Sequence, residues 1–357
     1  MNILFTSADP GSAQQNDSVA HYFKNENSYK LAYISSNSSS IFYSPNYTKS
    51  LIIEDQANKK DIINDFINIF MPDFIFLGLS SKKSSIDYII CEIAKKRKIR
   101  TGAIQDYYGW IGSYNLSVKP DLFFVIDDYA KKLIQNSKIC DSDQIVITGS
   151  PKHYNYFSKI NEWKRNVQKL KFSNKELIFF LQPLGIDGVR TNFTSFCEIL
   201  DKLHPGYRLN VKPHPLDLNS NLLIDLKNKF PINIISNDIP AEILLLYFKN
   251  IVNCYSTIAL DYYIIIKHLA HINRSRLINL LIGYEINNTI KQLNFDIKKT
   301  PQFDIGINIF NKRDLRITIK EILNENNSYS VEWKKINLST FSNPFQKIKT
   351  TMHRSIE

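Results

Sequence analysis

The stretch Leu209–Asn219 reads LNVKPHPLDLN, a short apolar run that stops at a lysine, two prolines and a histidine. Each proline fixes its own φ angle, lacks a backbone N–H and restricts the residue before it, so neither a strand nor a helix continues easily through Pro213 and Pro215. We therefore expect a strand that ends abruptly and holds His214 on a stiff turn. A histidine there either contacts a phosphate, as ligand or proton donor, or caps a neighbouring loop.

Similar apolar runs alternate with longer amphipathic stretches along almost the whole chain, which predicts βαβ units with parallel sheets. In the first half the expected strands are NILFTS, KLAYIS, DFIFLGL, RTGAIQD, DLFFVID and QIVITGSP. In the second half they are LIFFLQP, YRLNVKP, INIIS, NIVNCYS and LAHINRS. We therefore predict an α/β fold of two Rossmann-like domains facing each other across a cleft, with ligands beyond the carboxyl ends of the strands.

The length of 357 residues suits two domains. The predicted organisation is a first Rossmann-like domain over 1–155, a linker over 156–175, a second Rossmann-like domain over 176–330 and a basic C-terminal segment over 331–357. The C-terminal segment either rests on anionic lipid headgroups or packs as a helix on the first domain.

The composition argues against several function classes. A formal net charge of +11 predicts attraction to an anionic partner, but the basic residues are spread along the chain, so nucleic acid is not expected. The four cysteines form no Cys-x-x-Cys pair, which argues against a zinc site and fits a reducing compartment. No apolar run approaches the ~20 residues that span a bilayer, and no signal-peptide pattern opens the sequence, so a cytoplasmic location is expected.

A second polar motif follows the predicted strand NIVNCYS. Ser256 and Thr257 precede an apolar stretch, which is the context of a helix N-cap. Hydroxyls and free backbone N–H groups at such a position bind anions, although most helix caps bind nothing. Because the pair follows His214 by about 40 residues in the same predicted domain, both can lie at one edge of a parallel sheet.

An acidic residue lies between these two motifs. Pro240 is expected to open a helix with Glu242 in its first turn. The helix dipole favours a carboxylate there in any protein, so this position alone carries little information. The functional alternative is that Glu242 accepts hydrogen bonds from ribose hydroxyls.

In the first domain, Asp106 comes directly after a predicted strand and is followed by large aromatic residues and glycines. One interpretation makes Asp106 a general base for an acceptor hydroxyl, with Tyr107, Tyr108 and Trp110 as a stacking surface for a sugar. The other makes Asp106 a turn former and the aromatic residues part of the core.

The loop after the first strand reads TSADPGS and contains Asp9, Gly11 and Ser12. It is not a Gly-x-Gly-x-x-Gly fingerprint, and the chain contains no Gly-Lys-Ser/Thr phosphate loop, so NAD and ATP sites lose support. We expect the loop to line an acceptor pocket.

Three of these motifs together resemble those of a known enzyme family. QDYYG at Asp106, KPHP at His214 and YSTIALDY at Ser256 and Thr257 are similar to the D/E-D/E-G, HP and SS/T motifs of bacterial sialyltransferases and related CMP-nonulosonate and Kdo transferases, which have the GT-B fold. The sequence departs from the first motif, because Gln105 stands where the family has an acid.

The resemblance implies a cytoplasmic, metal-independent glycosyltransferase that needs no cofactor. It would move a nonulosonic acid, such as sialic, pseudaminic or legionaminic acid or Kdo, from a CMP-sugar donor to a hydroxyl of a bacterial capsule, O-antigen or lipooligosaccharide. It assigns the base to Asp106, the phosphate contacts to His214, Ser256 and Thr257, and the ribose contact to Glu242. The expected partners are thus a nucleotide sugar and a glycan or glycolipid acceptor at the anionic inner membrane.

Elementary electrostatics is consistent with this chemistry. A departing nucleotide requires neutralisation of negative charge at its phosphate, which a helix N-terminus, hydroxyls, an imidazole and the side chain of Lys212 can supply without a metal. The alternatives are a CDP-glycerol or CDP-ribitol phosphotransferase, a UDP-sugar-using GT-B enzyme or 2-epimerase, and a basic module that binds polyanions.

Overall fold

The computed structural model describes residues 1–36, 47–54, 57–78, 85–108, 118–172, 176–186, 188–217, 220–292, 296–324, 329–335 and 342–357. The chain forms two compact units, of which unit 1 comprises Met1–Tyr156 with Asn337–Glu357 and unit 2 comprises Phe157–Ile336. Each unit is built on a parallel sheet with helices, which confirms the predicted α/β class.

The sheet of unit 1 has seven strands in the order β3-β2-β1-β4-β5-β6-β7, and all of its pairings are parallel. The strands are β1 (Asn2–Ser7), β2 (Lys30–Ser36), β3 (Lys49–Ile53), β4 (Phe74–Leu77), β5 (Arg100–Ile104), β6 (Leu122–Val125) and β7 (Ile145–Ile147). The six predicted runs of the first half each contain one of these strands. The edge strand β3 was not predicted, because its sequence KSLII is largely exposed and lacks the apolar signature of a buried strand.

The helices of unit 1 begin where polar residues can cap them. Three N-cap residues each accept a hydrogen bond from a backbone N–H in the first turn of the helix that follows, where the first N–H groups have no partner within the helix. These residues are Asp9, Ser85 and Asp127. The helices are α1 (Pro10–Lys24), α2 (Lys59–Phe70), α3 (Ile86–Lys96), α4 (Asp128–Ser137) and α13 (Pro344–Ile356), with a 3-10 turn at Ser142–Gln144. Helix α5 (Pro151–Lys169) runs from unit 1 into unit 2 and includes most of the segment predicted as a linker.

The last helix of the chain belongs to unit 1. Helix α13 buries Phe345, Ile348 and Met352 in the hydrophobic core of this unit, and the ring of Phe345 stacks on Tyr22 with 5.0 Å between centroids. For residues 331–357 the two expectations are contact with lipid headgroups and a helix packed on the first domain. The second of these describes α13.

The main sheet of unit 2 has six parallel strands in the order β10-β9-β8-β11-β13-β14. These are β8 (Leu177–Phe180), β9 (Leu209–Lys212), β10 (Ile232–Ile234), β11 (Asn250–Asn253), β13 (Arg276–Leu280) and β14 (Ile307–Ile309). The expectation that LAHINRS continues this series is wrong, because β12 (Ala270–Asn273) pairs antiparallel with β15 (Ser330–Trp333) in a separate two-stranded sheet. The alternating burial of β12 is typical of such a strand.

The helices of unit 2 complete its α/β layers. They are α6 (Val189–Leu203), α7 (Asn221–Lys229), α8 (Ala241–Tyr247), α9 (Ile258–Ile264), α10 (Tyr284–Gln292), α11 (Pro301–Asp304) and α12 (Lys312–Asn324), with a π-helical turn at Ile265–Leu269. Within the described residues, no helix combines the length and the apolar character needed to cross a membrane.

Both main sheets have a point at which the direction of strand addition reverses. In unit 1 the chain adds β2 and β3 on one side of β1 and then continues with β4 on the other side. In unit 2 it adds β9 and β10 on one side of β8 and then continues with β11 on the other. In open parallel sheets, ligands bind beyond the carboxyl ends of the strands at this switch point, so each sheet has one expected ligand site.

Candidate functional site

At the switch point of unit 2, the side-chain amides of two buried residues hold the turn that follows β11. The backbone N–H of Tyr255 donates to Oε1 of Gln182, which follows β8, at 3.0 Å. The backbone N–H of Ser256 donates to Oδ1 of Asn253, the last residue of β11, also at 3.0 Å. Gln182 and Asn253 are both buried, so the position of Ser256 is set from the interior of the sheet. Sequence reasoning missed both amides, although each is a polar residue at the end of an apolar strand.

Ser256 and Thr257 occupy the start of α9, as predicted. Thr257 is the N-cap residue, but its hydroxyl makes no capping hydrogen bond. Instead, Oγ of Ser256 accepts from the backbone N–H of Ile258 at 3.3 Å. Both side chains are partly exposed at the switch point, where their hydroxyls can contact a ligand.

His214 follows β9, the strand on the other side of β8. A 3-10 turn at Pro215–Asp217 begins directly after it, in agreement with the predicted stop. Oδ2 of Asp217 accepts from the backbone N–H of Leu184 at 2.9 Å, which ties this turn to the loop after β8. Burial lowers the pKa of His214 to about 4. The imidazole is therefore neutral at pH 7 and acts first as a hydrogen-bonding group, not as a cation.

Lys212 ends β9 and is only 8% exposed. Its Nζ donates to the carbonyl oxygens of Ser236 and Ile239 at 2.6 and 2.9 Å. Burial lowers the pKa of Lys212 to about 8, while the charges of Asp238 and Glu242 oppose this shift. Lys212 thus braces the loop between β10 and α8, and its predicted phosphate contact stays a prediction.

Glu242 lies in the first turn of α8, and Pro240 is the N-cap residue, as the sequence indicated. Its side chain is partly exposed, and its charge acts on Lys212. Lys212 therefore helps to fix the loop that presents Glu242. The ribose contact of Glu242 stays a prediction.

In unit 1, the junction between β1 and α1 lies at the switch point, with Asp9 as the N-cap residue and Ser12 in the first turn of α1. Oδ1 of Asp9 accepts from the backbone N–H of Ser12 at 3.2 Å, and the hydroxyls of Ser7 and Ser12 are 2.8 Å apart. Burial raises the pKa of Asp9 above its ordinary value, against the lowering effect of its hydrogen bonds from Ser12 and Gly11. This junction therefore contains a desolvated carboxyl group together with two buried serine hydroxyls.

The structure brings Asp106 to this junction. A β-carbon on Gly11 would overlap Oδ2 of Asp106, so the carboxyl group lies against the first turn of α1. Burial, and then the nearby charge of Asp9, raise the pKa of Asp106 well above its ordinary value, while Lys152 opposes the rise. A carboxylate with a raised proton affinity is suited to accept a proton from a hydroxyl group.

Sequence reasoning missed Asp87, a third carboxyl group at the same switch point. It is 4% exposed and accepts hydrogen bonds from Oγ1 of Thr6 at 2.5 Å and from the backbone N–H groups of Ala8 and Gly78 at 3.1 and 3.2 Å. Burial raises the pKa of Asp87 to about 7. Asp87 thereby joins the ends of β1 and β4. The first turn of a helix favours an aspartate in any protein, so the sequence alone does not indicate this role.

Two of the three residues of the predicted aromatic surface lie within the described ranges. Tyr108 is 2% exposed, and its hydroxyl donates to Oδ2 of Asp127, the N-cap residue of α4, at 2.6 Å. Its ring packs edge-on against Tyr129. Tyr108 is therefore a core residue that braces α4, which corrects its assignment as a sugar-stacking residue. Tyr107 is partly exposed, and Trp110 lies outside the described residues.

Nowhere in the described ranges are three or more histidine, cysteine, aspartate or glutamate side chains placed together so that they could hold a metal ion.

Comparison with known proteins extends these observations to the fold. Neither a family model nor a curated protein sequence matches the chain. Among solved structures, the UDP-GlcNAc 2-epimerase from Methanocaldococcus jannaschii is similar with a TM-score of 0.60, 13% identity and coverage of 99% of this chain and 100% of that one. S. aureus MnaA with UDP gives a TM-score of 0.61 at 11% identity, covering 97% and 90%.

A third similar structure is the wall teichoic acid polymerase TagF with CDPG, which has a TM-score of 0.54, 13% identity and coverage of 99% of this chain and 88% of that one. At such identities the likeness concerns the fold alone. The two α/β units, each built on a sheet of parallel strands, and the likeness to these neighbours show that the chain has the GT-B fold.

Proposed function

We propose that the chain is a glycosyltransferase that moves a nonulosonic acid from a CMP-sugar donor to a hydroxyl of a bacterial surface glycan. Unit 2 is the donor domain and unit 1 the acceptor domain. The observation that carries this proposal is the turn at the switch point of unit 2, where buried side-chain amides hold Ser256 after β11 while the His214 turn follows β9, on the other side of β8. MnaA was solved with UDP and TagF with CDPG, and both proteins share the fold.

In this proposal the donor phosphate contacts the hydroxyls of Ser256 and Thr257 and the imidazole of His214. An anion beside an imidazole stabilises its protonated form, so donor binding raises the pKa of His214 from its low value in the free protein. The protonated imidazole then donates a hydrogen bond, or its proton, to the departing phosphate. Glu242 accepts hydrogen bonds from the ribose.

On the acceptor side, Asp106 takes the proton from the attacking hydroxyl. Its raised pKa favours this transfer, and the adjacent Asp9 contributes to that rise. Gly11 and Ser12, in the first turn of α1, complete the site at which the acceptor binds. The net charge of +11 supports attraction both to an anionic donor and to a glycolipid acceptor at the cytoplasmic face of an anionic membrane.

A donor panel tests the proposal and separates it from its rivals. Thermal unfolding is measured with CMP-sialic acid, CMP, CDP-glycerol, UDP-GlcNAc and heparin, since a ligand at 100 times its Kd stabilises a protein by about 2.7 kcal/mol. We expect the CMP compounds to stabilise the wild type and to lose most of this effect in His214→Ala. Stabilisation by heparin alone would instead indicate a polyanion-binding module.

Product analysis separates the enzyme classes. Mass spectrometry of the acceptor after reaction shows whether a sugar or a polyol phosphate has been added. Addition of a phosphorus-containing group from CDP-glycerol would replace this proposal with the polyol phosphotransferase. Formation of UDP-ManNAc from UDP-GlcNAc without an acceptor would replace it with the 2-epimerase.

A further inference from the structure

Three asparagines lie side by side across unit 2. Asn253 on β11 is in register with Asn279 on β13, which is in register with Asn308 on β14. Nδ2 of Asn253 donates to Oδ1 of Asn279 at 2.9 Å, and Nδ2 of Asn279 donates to Oδ1 of Asn308 at 2.8 Å. Nδ2 of Asn308 donates to the carbonyl oxygen of Phe303 at 3.1 Å. We call these three residues the asparagine row.

The asparagine row is buried at its inner end. Asn253 and Asn279 are both 0% exposed, in a sheet whose neighbouring positions, such as Val252 and Ile278, are apolar. A buried amide is costly unless its donors and acceptors are paired, and here the nitrogens of Asn253 and Asn279 each donate to the next asparagine of the row. Gly306 leaves room for the row, because a β-carbon there would overlap Nδ2 of Asn279.

The row leads to the candidate phosphate site. The side-chain oxygen of Asn253 accepts from the backbone N–H of Ser256, while its nitrogen donates to Asn279. The amide plane of Asn253 is therefore fixed on one side by Asn279 and fixes Ser256 on the other. An apolar row would pack in the same space but could not orient a backbone N–H.

We propose that the asparagine row is a positioning device that holds the Ser256 turn in the orientation that receives the donor phosphate. This inference rests on the proposed function. Asn279 and Asn308 act through Asn253, so they are positioning residues and not ligands. Asn279 is the informative member, because it hydrogen-bonds neither the turn nor, in the proposal, the donor.

The test compares Asn279→Leu with Asn250→Leu. Asn250 is a matched control, since it is buried, lies on β11 and donates through Nδ2 to the carbonyl oxygen of Glu176, at the opposite end of the strand from Ser256. We expect both variants to shift the urea midpoint by similar amounts. Only Asn279→Leu is expected to weaken the binding of CMP, by about tenfold, which equals about 1.4 kcal/mol. Equal effects of the two variants on the Kd of CMP would overturn the inference.

A second readout does not depend on CMP. Hydrogen exchange at the backbone N–H of Ser256 is expected to accelerate in Asn279→Leu and to stay at the wild-type rate in Asn250→Leu. If the wild type does not bind CMP, the proposed donor is wrong. Faster hydrogen exchange at Ser256 in Asn279→Leu alone would still support the role of the row in positioning the turn. Unchanged exchange in Asn279→Leu contradicts it.

Asn308→Leu provides a milder variant in case Asn279→Leu does not fold. Asn308 is at the partly exposed outer end of the row, so we expect smaller changes of the same sign in the exchange rate and in the Kd of CMP. Rescue by Asn279→Asp at a pH that protonates the new carboxyl group distinguishes loss of the hydrogen bonds from loss of packing, because the neutral acid can accept from Asn253 and donate to Asn308. A Leu and an Asp variant that behave alike would contradict the positioning role.

Discussion

The carboxyl group of Asp106 lies so close to Gly11 that a β-carbon on Gly11 would overlap its Oδ2 atom. This close approach links the carboxyl ends of β5 and β1 in one site, although about 95 residues separate them in the chain. The absence of a side chain at position 11 is thus a condition for the observed position of the proposed base.

The substitution Gly11→Ala is expected to displace Asp106 while leaving the fold intact. Alanine is a better helix former than glycine, so stability should be unchanged or rise by up to about 1 kcal/mol. The kcat of transfer should fall at least about tenfold, because small misplacements of a catalytic group are costly. The Kd of CMP should not change.

A double-mutant cycle checks whether Gly11 acts through Asp106. Asp106→Asn alone should lower kcat by about 10²–10⁴. Adding Gly11→Ala to Asp106→Asn should then have little further effect, since residues in contact are not additive. Additive losses would mean that Gly11 serves another purpose.

Donor binding is expected to take up protons through His214. The pKa of about 4 in the free protein leaves the imidazole neutral, and a bound phosphodiester raises that pKa, so proton uptake should grow as the pH falls from 7 towards 5. Calorimetry of CMP-sugar binding in two buffers of different ionisation enthalpy measures the uptake. His214→Asn should bind more weakly and take up no protons; equal uptake in both proteins would place the proton elsewhere.

The pH dependence of stability should report on Asp87. Its pKa is about 7 in the folded protein and near 3.8 when unfolded, so its contribution to stability is present below pH 4 and is lost as the pH rises towards 7. The largest slope from one such group is about 1.4 kcal/mol per pH unit. Asp87→Asn should flatten the dependence between pH 4 and 7 without abolishing it, because Asp9 and Asp106 shift in the same direction.

Urea denaturation at several pH values provides this measurement. Asp65 is exposed on α2 and supplies a control. Asp65→Asn should leave the wild-type slope in place, and a slope that is equal in all three proteins would show that Asp87 titrates normally.

Substitution of Tyr108 should affect stability, whereas substitution of Tyr107 should affect acceptor binding. Tyr108→Phe removes the hydrogen bond to Asp127 and should lower the free energy of unfolding by about 1 kcal/mol, with the acceptor KM unchanged. Tyr107→Ala should raise the acceptor KM with little change in stability. Steady-state kinetics at saturating donor and chemical denaturation measure the two effects, and the reverse pattern would restore Tyr108 to the acceptor site.

Much of the fold could be predicted because buried parallel strands have a strong local signature. FIFL in β4 and LIFF in β8 are apolar runs bounded by polar or turn-forming residues, and such runs can be recognised without their partners. The pairing of β12 could not be predicted in this way, since its partner β15 lies about 60 residues away and nothing local specifies the neighbour.

The candidate site was predictable to a smaller extent. His214 and Ser256 follow strands and precede turns or helices, so their place at a sheet edge follows from the order of elements. The buried hydrogen bonds of Lys212 and the burial of Tyr108 depend on loops and strands that meet only after folding. The same holds for Asp87, whose three donors lie within β1 and just after the ends of β1 and β4.

The position of α13 has a consequence for biosynthesis. Unit 2 is inserted into unit 1, so the side chains of Phe345, Ile348 and Met352, which belong to the core of unit 1, are translated after every strand of that unit. All seven strands of unit 1 therefore leave the ribosome before α13 does. Until α13 packs, part of the hydrophobic core of unit 1 is exposed to water and chaperones. A stop codon before residue 344 would leave that interior permanently exposed.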